Sequence, residues 1–343
     1  MSTNTAPLIS ADLDQWLVRY RDLRPCTTAF IDTRSPGSDQ KENFTIIGPG
    51  VAENPDQHVH IPRPHGFNIG GARQPPRCVN SQHFHETAEV FLIHSGTWAF
   101  RTGENADEGE IILNPGDVIS IPTHIFRGFE NVGEDKGFLY AVLGGDDAGH
   151  VVWAPSVLDT ARKHGLLLTT TGRLVDTIAG DALTPDEELA TPLSPEALAA
   201  CVRHADSAAL EAIVVRKGAG SPSRSPLAAP GVEIRDILGA PGATGRTPPL
   251  EWPHGFCCQM MTLQAGSAAP AHSVDTARVA FLQSGSATIS FDDVEATLEA
   301  GDTLSFPVGA VVRIKAGDRT GAQLFVTLNG DFPPEPKIFH HGG

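Results

Sequence analysis

The sequence is short of the features that mark several large protein classes. Basic clusters are missing: 25 Lys and Arg stand against 41 Asp and Glu, the formal net charge is −16, and no Lys/Arg run offsets it. A surface that acidic repels phosphate backbones, which argues against nucleic acid as a partner. No apolar run approaches the ~18 residues of a bilayer span, so nothing reads as an integral membrane protein. The start, MSTNTAPLISADLDQW, has neither a basic nor an apolar region, so no signal peptide is expected. Cysteine is scarce, and the five present (Cys26, Cys78, Cys201, Cys257, Cys258) are odd in number and show no zinc-type spacing. These absences lead to the expectation of a cytoplasmic protein with reduced thiols. What remains, 343 residues of which 40% are hydrophobic and 19% charged, is the balance of one or two globular domains.

What is present is a repeat. Gly66-Phe67 precedes His83 by 17 residues counted from the glycine, and Gly255-Phe256 precedes His272 by the same 17. Gly116-Asp117 and Gly145-Asp146 are 29 residues apart, as are Gly301-Asp302 and Gly330-Asp331. Short apolar stretches lie between these marks (VFLIHSG, VAFLQSG, GDVISIP, GDTLSFP), bounded by Gly and Pro. Short strands punctuated this way predict an all-β sandwich or barrel, here duplicated. The flanks differ. Leu13, Trp16, Leu17 and Tyr20 fall at helical spacing within Leu8–Arg24, and SVLDTARKHG reads as a helix that Gly165 ends. One or two more helices are expected in 184–213, with Ser194 as N-cap and Pro195 as first helical residue. Gly218–Pro249, rich in Gly, Pro, Ser and Ala, reads as a surface bridge into the second unit.

The chemistry concentrates in His83-Phe84-His85-Glu86-Thr87-Ala88-Glu89. On a single strand, positions 83, 85 and 89 share a face, which Phe91 and Ile93 extend as a dry wall. Two imidazoles and a carboxylate together match a facial site suited to non-haem Fe(II). The competing reading is a polar strand edge with solvated histidines.

The pattern is longer than HxH. With three residues to Glu89 and six more to Gly96 it resembles the first motif of the cupin superfamily. Gly116-Asp117, Pro122 and Asn131 in GDVISIPTHIFRGFEN resemble the second. The resemblance implies a double-stranded β-helix (jelly-roll) bicupin with short flanking and linking helices. Its parts would be a helical arm over 1–40, a metal-binding barrel over 41–150, a linker over 151–249 and a degenerate barrel over 250–343. In that family a histidine five residues after the proline supplies a fourth ligand. Arg127 stands there, and a guanidinium cannot ligate a cation. The resemblance thus leaves His83, His85 and Glu89 as the metal set with His124 at the mouth, or His124 as a ligand with or without Glu89. Aligned on Gly285, the second unit offers His272, Val274 and Arg278, with Val312 at the fourth position. It is expected to be metal-free, with His272 a wall residue.

Three protein ligands leave three positions on an octahedral ion, enough for a substrate that chelates through two oxygens and for O2. Arg127 either pairs with a substrate carboxylate or forms an internal salt bridge to Glu130 or Asp117. These features together resemble the gentisate and salicylate ring-cleaving dioxygenases, which implies Fe(II), a small aromatic carboxylate and O2. The departure is Glu89, since that family typically uses three histidines. His124 is the candidate catalytic proton shuttle, with a surface loop histidine as the other reading. Phe91, Trp98 and Arg127 are the candidate substrate-binding residues, and Arg101 could replace Trp98 because strand parity beyond Gly96 is unreadable. Sheet edges that must be covered lead to an expected homodimer or higher homo-oligomer. Two other classes fit the same trio: a non-redox metal cupin (isomerase, lyase or decarboxylase) acting on a small carboxylate, and a non-enzymatic binding bicupin.

Overall fold

The computed structural model describes residues 13, 15–201, 207–240, 247–291 and 294–339. The fold is all-β, built as two units: Arg24–Lys217, and Gly218–Gly343 together with the described residues up to Leu23. None of the described helices is long and apolar enough to cross a membrane.

In the first unit a seven-stranded sheet runs in the order Val214–Val215, Val118–Ile121, Glu89–Ser95, Gly137–Gly144, Phe67–Gln74, Glu42–Ile47, Val59–Ile61. A five-stranded sheet runs Val151–Trp153, Val79–His85, Arg127–Asn131, Trp98–Thr102, Gly109–Leu113. Side-chain alternation sets Asn43, Thr45, Gly70, Ala72, Glu89, Phe91, Ala141 and Leu143 of one sheet around the same cavity as His83, His85, Phe129, Val151 and Trp153 of the other. Phe84, between the two histidines, faces away and joins Phe126, Val157, Ala161 and Leu166 in a separate apolar cluster. That cluster is closed by the helix Pro155–Lys163, which begins on Pro155 and is followed by Gly165 at φ +79°. Pro195–Ala199 is a second helix, with Ser194 Oγ accepting from Ala197 N at 3.2 Å. Ser207–Glu211 is a third.

The second unit repeats the plan in an eleven-stranded sheet curled about its own core, which includes Leu282, Ile289, Phe291, Leu298, Leu304 and Leu324. Its strands begin earlier than the composition suggests. Val232–Leu238 pairs with Phe256–Leu263, although it lies in the stretch read as a loop-rich bridge. Val232, Ile234 and Asp236 are buried there while Glu233 is exposed. At the other end of the expected linker, Val151–Trp153 belongs to the first barrel, paired with the histidine strand.

Of the helix expected over Leu8–Arg24, Leu13 is helical, and from Leu17 on the described chain leaves that path. Leu17 and Val18 make a short strand against Leu304 and Thr303, followed by a 3-10 turn at Tyr20–Asp22; residues 1–12 and 14 lie outside the described residues. Pairing with a sheet edge overrides a four-residue periodicity. The duplication reaches into this arm. Val214–Val215 docks on Ile119 and Val118 of the first barrel as Leu17–Val18 docks on the second. Each arm ends on an arginine held by the aspartate of the Gly-Asp motif. Asp302 accepts from Arg19 Nη1 (2.7 Å), Tyr20 N (3.0 Å) and Glu299 N (3.0 Å). Asp117 accepts from Arg216 Nη1 (3.0 Å), Lys217 N (2.9 Å) and Asn114 N (3.0 Å). One buried carboxylate thus ties a tight turn to an incoming edge strand. Asp302→Ala deletes all three bonds and is expected to cost on the order of 2–4 kcal/mol, since hydrogen bonds to charged groups are the strong ones. Amide exchange at Val18 and Tyr20 should accelerate while Val215 and Lys217 stay protected. Unchanged exchange at Val18 and Tyr20 would show that the arm is held by other means.

Candidate metal centre

His83 and His85 close the strand Val79–His85, and Glu89 opens Glu89–Ser95. The three do not share one strand face as the sequence reading had it. A turn at 86–88 carries the chain to the facing sheet, so Glu89 meets the imidazoles across the barrel interior. Their donor atoms lie within 4.8 Å of one another, and all three residues are buried. His85 Nε2 stands 3.7 Å from Glu89 Oε2, and the two rings meet edge to face at 5.2 Å.

The imidazoles are prepared to donate lone pairs. His83 Nδ1–H donates to Ser81 O at 2.7 Å, which turns a bare Nε2 inward. Ser81 is itself held, its N–H donating to Asp32 Oδ2 at 3.1 Å. Asp32 forms a buried ion pair with Lys41, whose ammonium also donates to Asn80 Oδ1 at 3.1 Å. Burial first, and then the Arg127 charge, hold both histidines well below the usual imidazole range, so both are neutral at neutral pH. On the far side of His83, the Trp153 ring lies 5.1 Å away. Its Nε1–H donates to Glu53 Oε1 at 2.5 Å, and Glu53 Oε2 accepts from Ile31 N at 2.6 Å.

Arg127 lies beside His83 in register and is buried. It donates through Nη1 to His83 O at 2.9 Å and through Nη2 to Glu89 Oε2. Burial pushes the Glu89 carboxyl up and the guanidinium down, and the contact between them returns each toward its charged form. Burial is the larger of the two effects on Glu89, and the ion pair opposes it. The cavity above the trio has a volume of about 70 Å³, with aromatic walls from Phe44, Phe91, Phe129 and Trp153 and polar groups from Asn43, Asn68 and Gln57.

Residues 72–143, which span the trio and Arg127, match the family model described as Cupin domain. The chain carries a cupin domain. No curated protein matches the sequence. Among solved structures, vicilin from Capsicum annuum is 12% identical with a TM-score of 0.59, over 96% of this chain and 90% of that one. The Lactobacillus farciminis oxalate decarboxylase formate complex is 10% identical with a TM-score of 0.58, over 94% and 88%. Vicilin from Corylus avellana is 12% identical with a TM-score of 0.56, also over 94% and 88%. At such identities the likeness establishes the fold, and it runs across both barrels. Within the cupin domain the donor set fits a divalent ion: two neutral imidazoles, one carboxyl paired with an arginine, and a Glu89 Oε1 that Arg127 does not engage.

The other candidates divide. Phe91 lines the cavity, edge-on to Phe100 (5.2 Å) and Phe129 (5.4 Å). Trp98 does not: it is fully buried against Phe129, with Nε1–H donating to Ser95 O at 2.9 Å. Arg101 faces the other way, bound to Glu110 and Glu130 at 2.6 Å each. His124 is exposed at φ +61° with its ring over Phe84 (5.4 Å), outside both the donor trio and the cavity lining. Arg127 forms the internal salt bridge that was one of its two readings, but with a different acid. Glu130 is held by Arg101 and Asp117 by Arg216, and the partner of Arg127 is the ligand Glu89. Sequence reasoning missed Asn43, Asn68, Phe129, Trp153 and the support from Asp32, Lys41 and Glu53. Asn43 and Thr45 in ENFTII were the available signal, polar side chains at alternate positions of an otherwise apolar strand.

Two outcomes follow. Arg127→Leu leaves Glu89 buried without its counter-charge and should lower stability by about 3–5 kcal/mol, while Arg127→Leu combined with Glu89→Met recovers most of it. Equal losses in the single and double variants, measured by urea unfolding, would count against the pair. Burial raises the Glu53 carboxyl to about 8, against an ordinary value of 4.5. A group raised in the folded state contributes stability that is whole below the unfolded value and is lost as pH climbs through the folded one. Between about 4.5 and about 8, wild-type protein should therefore lose stability relative to Glu53→Gln. Parallel stability curves would show that Glu53 ionises freely.

Proposed function

We propose that the N-terminal barrel is the active site of a mononuclear non-haem Fe(II) dioxygenase opening the ring of a hydroxybenzoate of the salicylate or gentisate kind. The observation that supports it most is the placing of His83, His85 and Glu89, neutral imidazoles beside a carboxyl paired with an arginine, at the end of a cavity with aromatic walls. Those three residues would hold the ion, and bound Fe(II) would supply electron transfer to O2 and a Lewis-acid centre for a phenolate–carboxylate pair. The chain supplies the rest. Phe91, Phe129 and Trp153 exclude water and offer flat apolar surfaces to a planar ring. Asn43 Nδ2, buried and without a hydrogen-bond partner, lines the same cavity and can donate to a substrate oxygen. Arg127 orients Glu89 and favours its ionised form, acting through the ligand and not on the substrate. A homo-oligomeric state belongs to this proposal.

A second reading, a non-redox metal cupin acting as isomerase, lyase or decarboxylase on a small carboxylate, draws support from the size of the cavity. With its guanidinium committed to Glu89, Arg127 leaves carboxylate binding to the metal in either reading, and the modest volume of the cavity suits a substrate more compact than a benzoate.

Elemental analysis and an oxygen electrode separate the two. The first reading expects about one divalent ion per chain, oxygen uptake with salicylate or gentisate, and loss of both in His85→Ala but of neither in His272→Ala. Metal without oxygen uptake, combined with anaerobic turnover of a small carboxylate, moves the assignment to the second reading. Metal retained in His85→Ala removes both.

A further inference from the structure

The C-terminal barrel carries a buried cation where the first barrel carries its carboxylate ligand. Its register repeats the first: His272 faces Val312 as His83 faces Arg127. His272 Nδ1–H donates to Pro270 O at 2.8 Å, so Nε2 points inward as an acceptor and takes Arg278 Nη1 at 2.6 Å. The guanidinium lies 4.4 Å from the centre of the Phe306 ring and is 4% exposed. Its Nε has no hydrogen-bond partner, and no carboxylate among the described residues pairs with it. Asp236, a buried acid of the same barrel, is bound by Gln259 Nε2 at 2.6 Å and is not within ion-pair distance. Burial draws Arg278 down only to about 10, which leaves it charged at neutral pH. The same burial takes His272 to about 4, so it brings no second charge to the site.

Arg278 borders a cavity of about 30 Å³ walled mainly by apolar side chains, Val274, Ala280, Ile314 and Leu328 among them, with Ser225 and Gln259 as its other polar lining. That is room for about two water-sized positions, the span of a carboxylate with a very short body. A guanidinium offers a planar fork that matches a carboxylate, and a buried charge without a counter-ion is strongly disfavoured. Walls that are mostly apolar disfavour a heavily hydrated anion. We propose that the C-terminal barrel is a binding site for a small monocarboxylate, whose oxygens pair with Arg278 and whose short apolar end rests on Val274, Ala280 and Leu328. The site is independent of the metal centre and needs no metal.

Isothermal titration of the full chain with sodium acetate, ionic strength held with chloride, tests it. Saturable binding at one site per chain is expected, retained in His85→Ala. In Arg278→Met the affinity should fall by more than about 30-fold, as deletion of one partner of a dry charge-assisted pair does. Arg278→Lys, which keeps charge but loses the fork, should fall between. Ala280→Leu fills the cavity with Arg278 in place and should also abolish binding, which covers a methionine variant that fails to fold. Absent saturation in the wild type, binding unchanged in Arg278→Met or Ala280→Leu, or equal displacement by chloride would each overturn the proposal.

Discussion

A charge sealed inside a β-barrel must find a counter-charge, and the ion pair between Arg127 and Glu89 meets that requirement in the first barrel. Without the guanidinium, a carboxylate this deeply buried would take up a proton and cease to be a metal donor. With it, the ionised form of Glu89 is favoured and one oxygen is still unspent. The same cation lies close enough to His83 and His85 to oppose their protonation. One arginine therefore acts on all three donors, adding to burial at the histidines and opposing it at Glu89. It does so from the position where the sequence resemblance implied a fourth ligand.

Around this pair the barrel builds a line of support that no single motif contains. Lys41 pairs with Asp32, Asp32 accepts from Ser81, and Ser81 O fixes the His83 tautomer. On the other flank Glu53 anchors the indole that lies against the His83 ring. These residues come from four separate stretches of chain and meet only when the barrel closes. Loosening any of them leaves the trio in place but frees His83 to turn, so a metal held there would depend on groups that never touch it.

The sequence discloses the donor trio because the HxH and Glu89 spacing is local, and it discloses the duplication because Gly-Phe and Gly-Asp recur at fixed steps. It misplaces Glu89 on the strand of the histidines, since the turn at 86–88 carries no glycine or proline to announce it. Arg127 and Glu89 are 38 residues apart, and which acid a buried arginine will meet is a property of sheet order. Trp98 and Arg101 stayed open as alternatives because parity beyond Gly96 is unreadable, and His124 rested on its place in the turn. Trp98 packs inward on Phe129 without lining the cavity, and at His124, where φ is positive, the ring lies over Phe84. The strand Val232–Leu238 is hidden for another reason: the Gly, Pro and Ser around it dominate the composition, while its own alternation is short.

Comparison of the barrels shows what duplication has held constant. His65 and His254 each donate Nδ1–H to a carbonyl two residues back, at 2.7 and 2.8 Å. Asp146 and Asp331 each bind the following Gly66 and Gly255 amides at 2.7 Å. Asp117 and Asp302 hold corresponding arms. These contacts form turns and edges, and any barrel of this shape needs them whatever it contains. The interiors diverge at the positions that decide charge: His85 against Val274, Glu89 against Arg278, Arg127 against Val312. The exchange is not a simple loss of ligands. An acid paired with an arginine has given way to an arginine hydrogen-bonded to His272, which converts a neutral interior pair into a cation that no carboxylate pairs with among the described residues. A barrel kept only for its shape would gain stability by replacing that cation with a packed hydrocarbon. Arg278 at the centre of the second barrel is therefore better explained by what it can bind than by what it holds together.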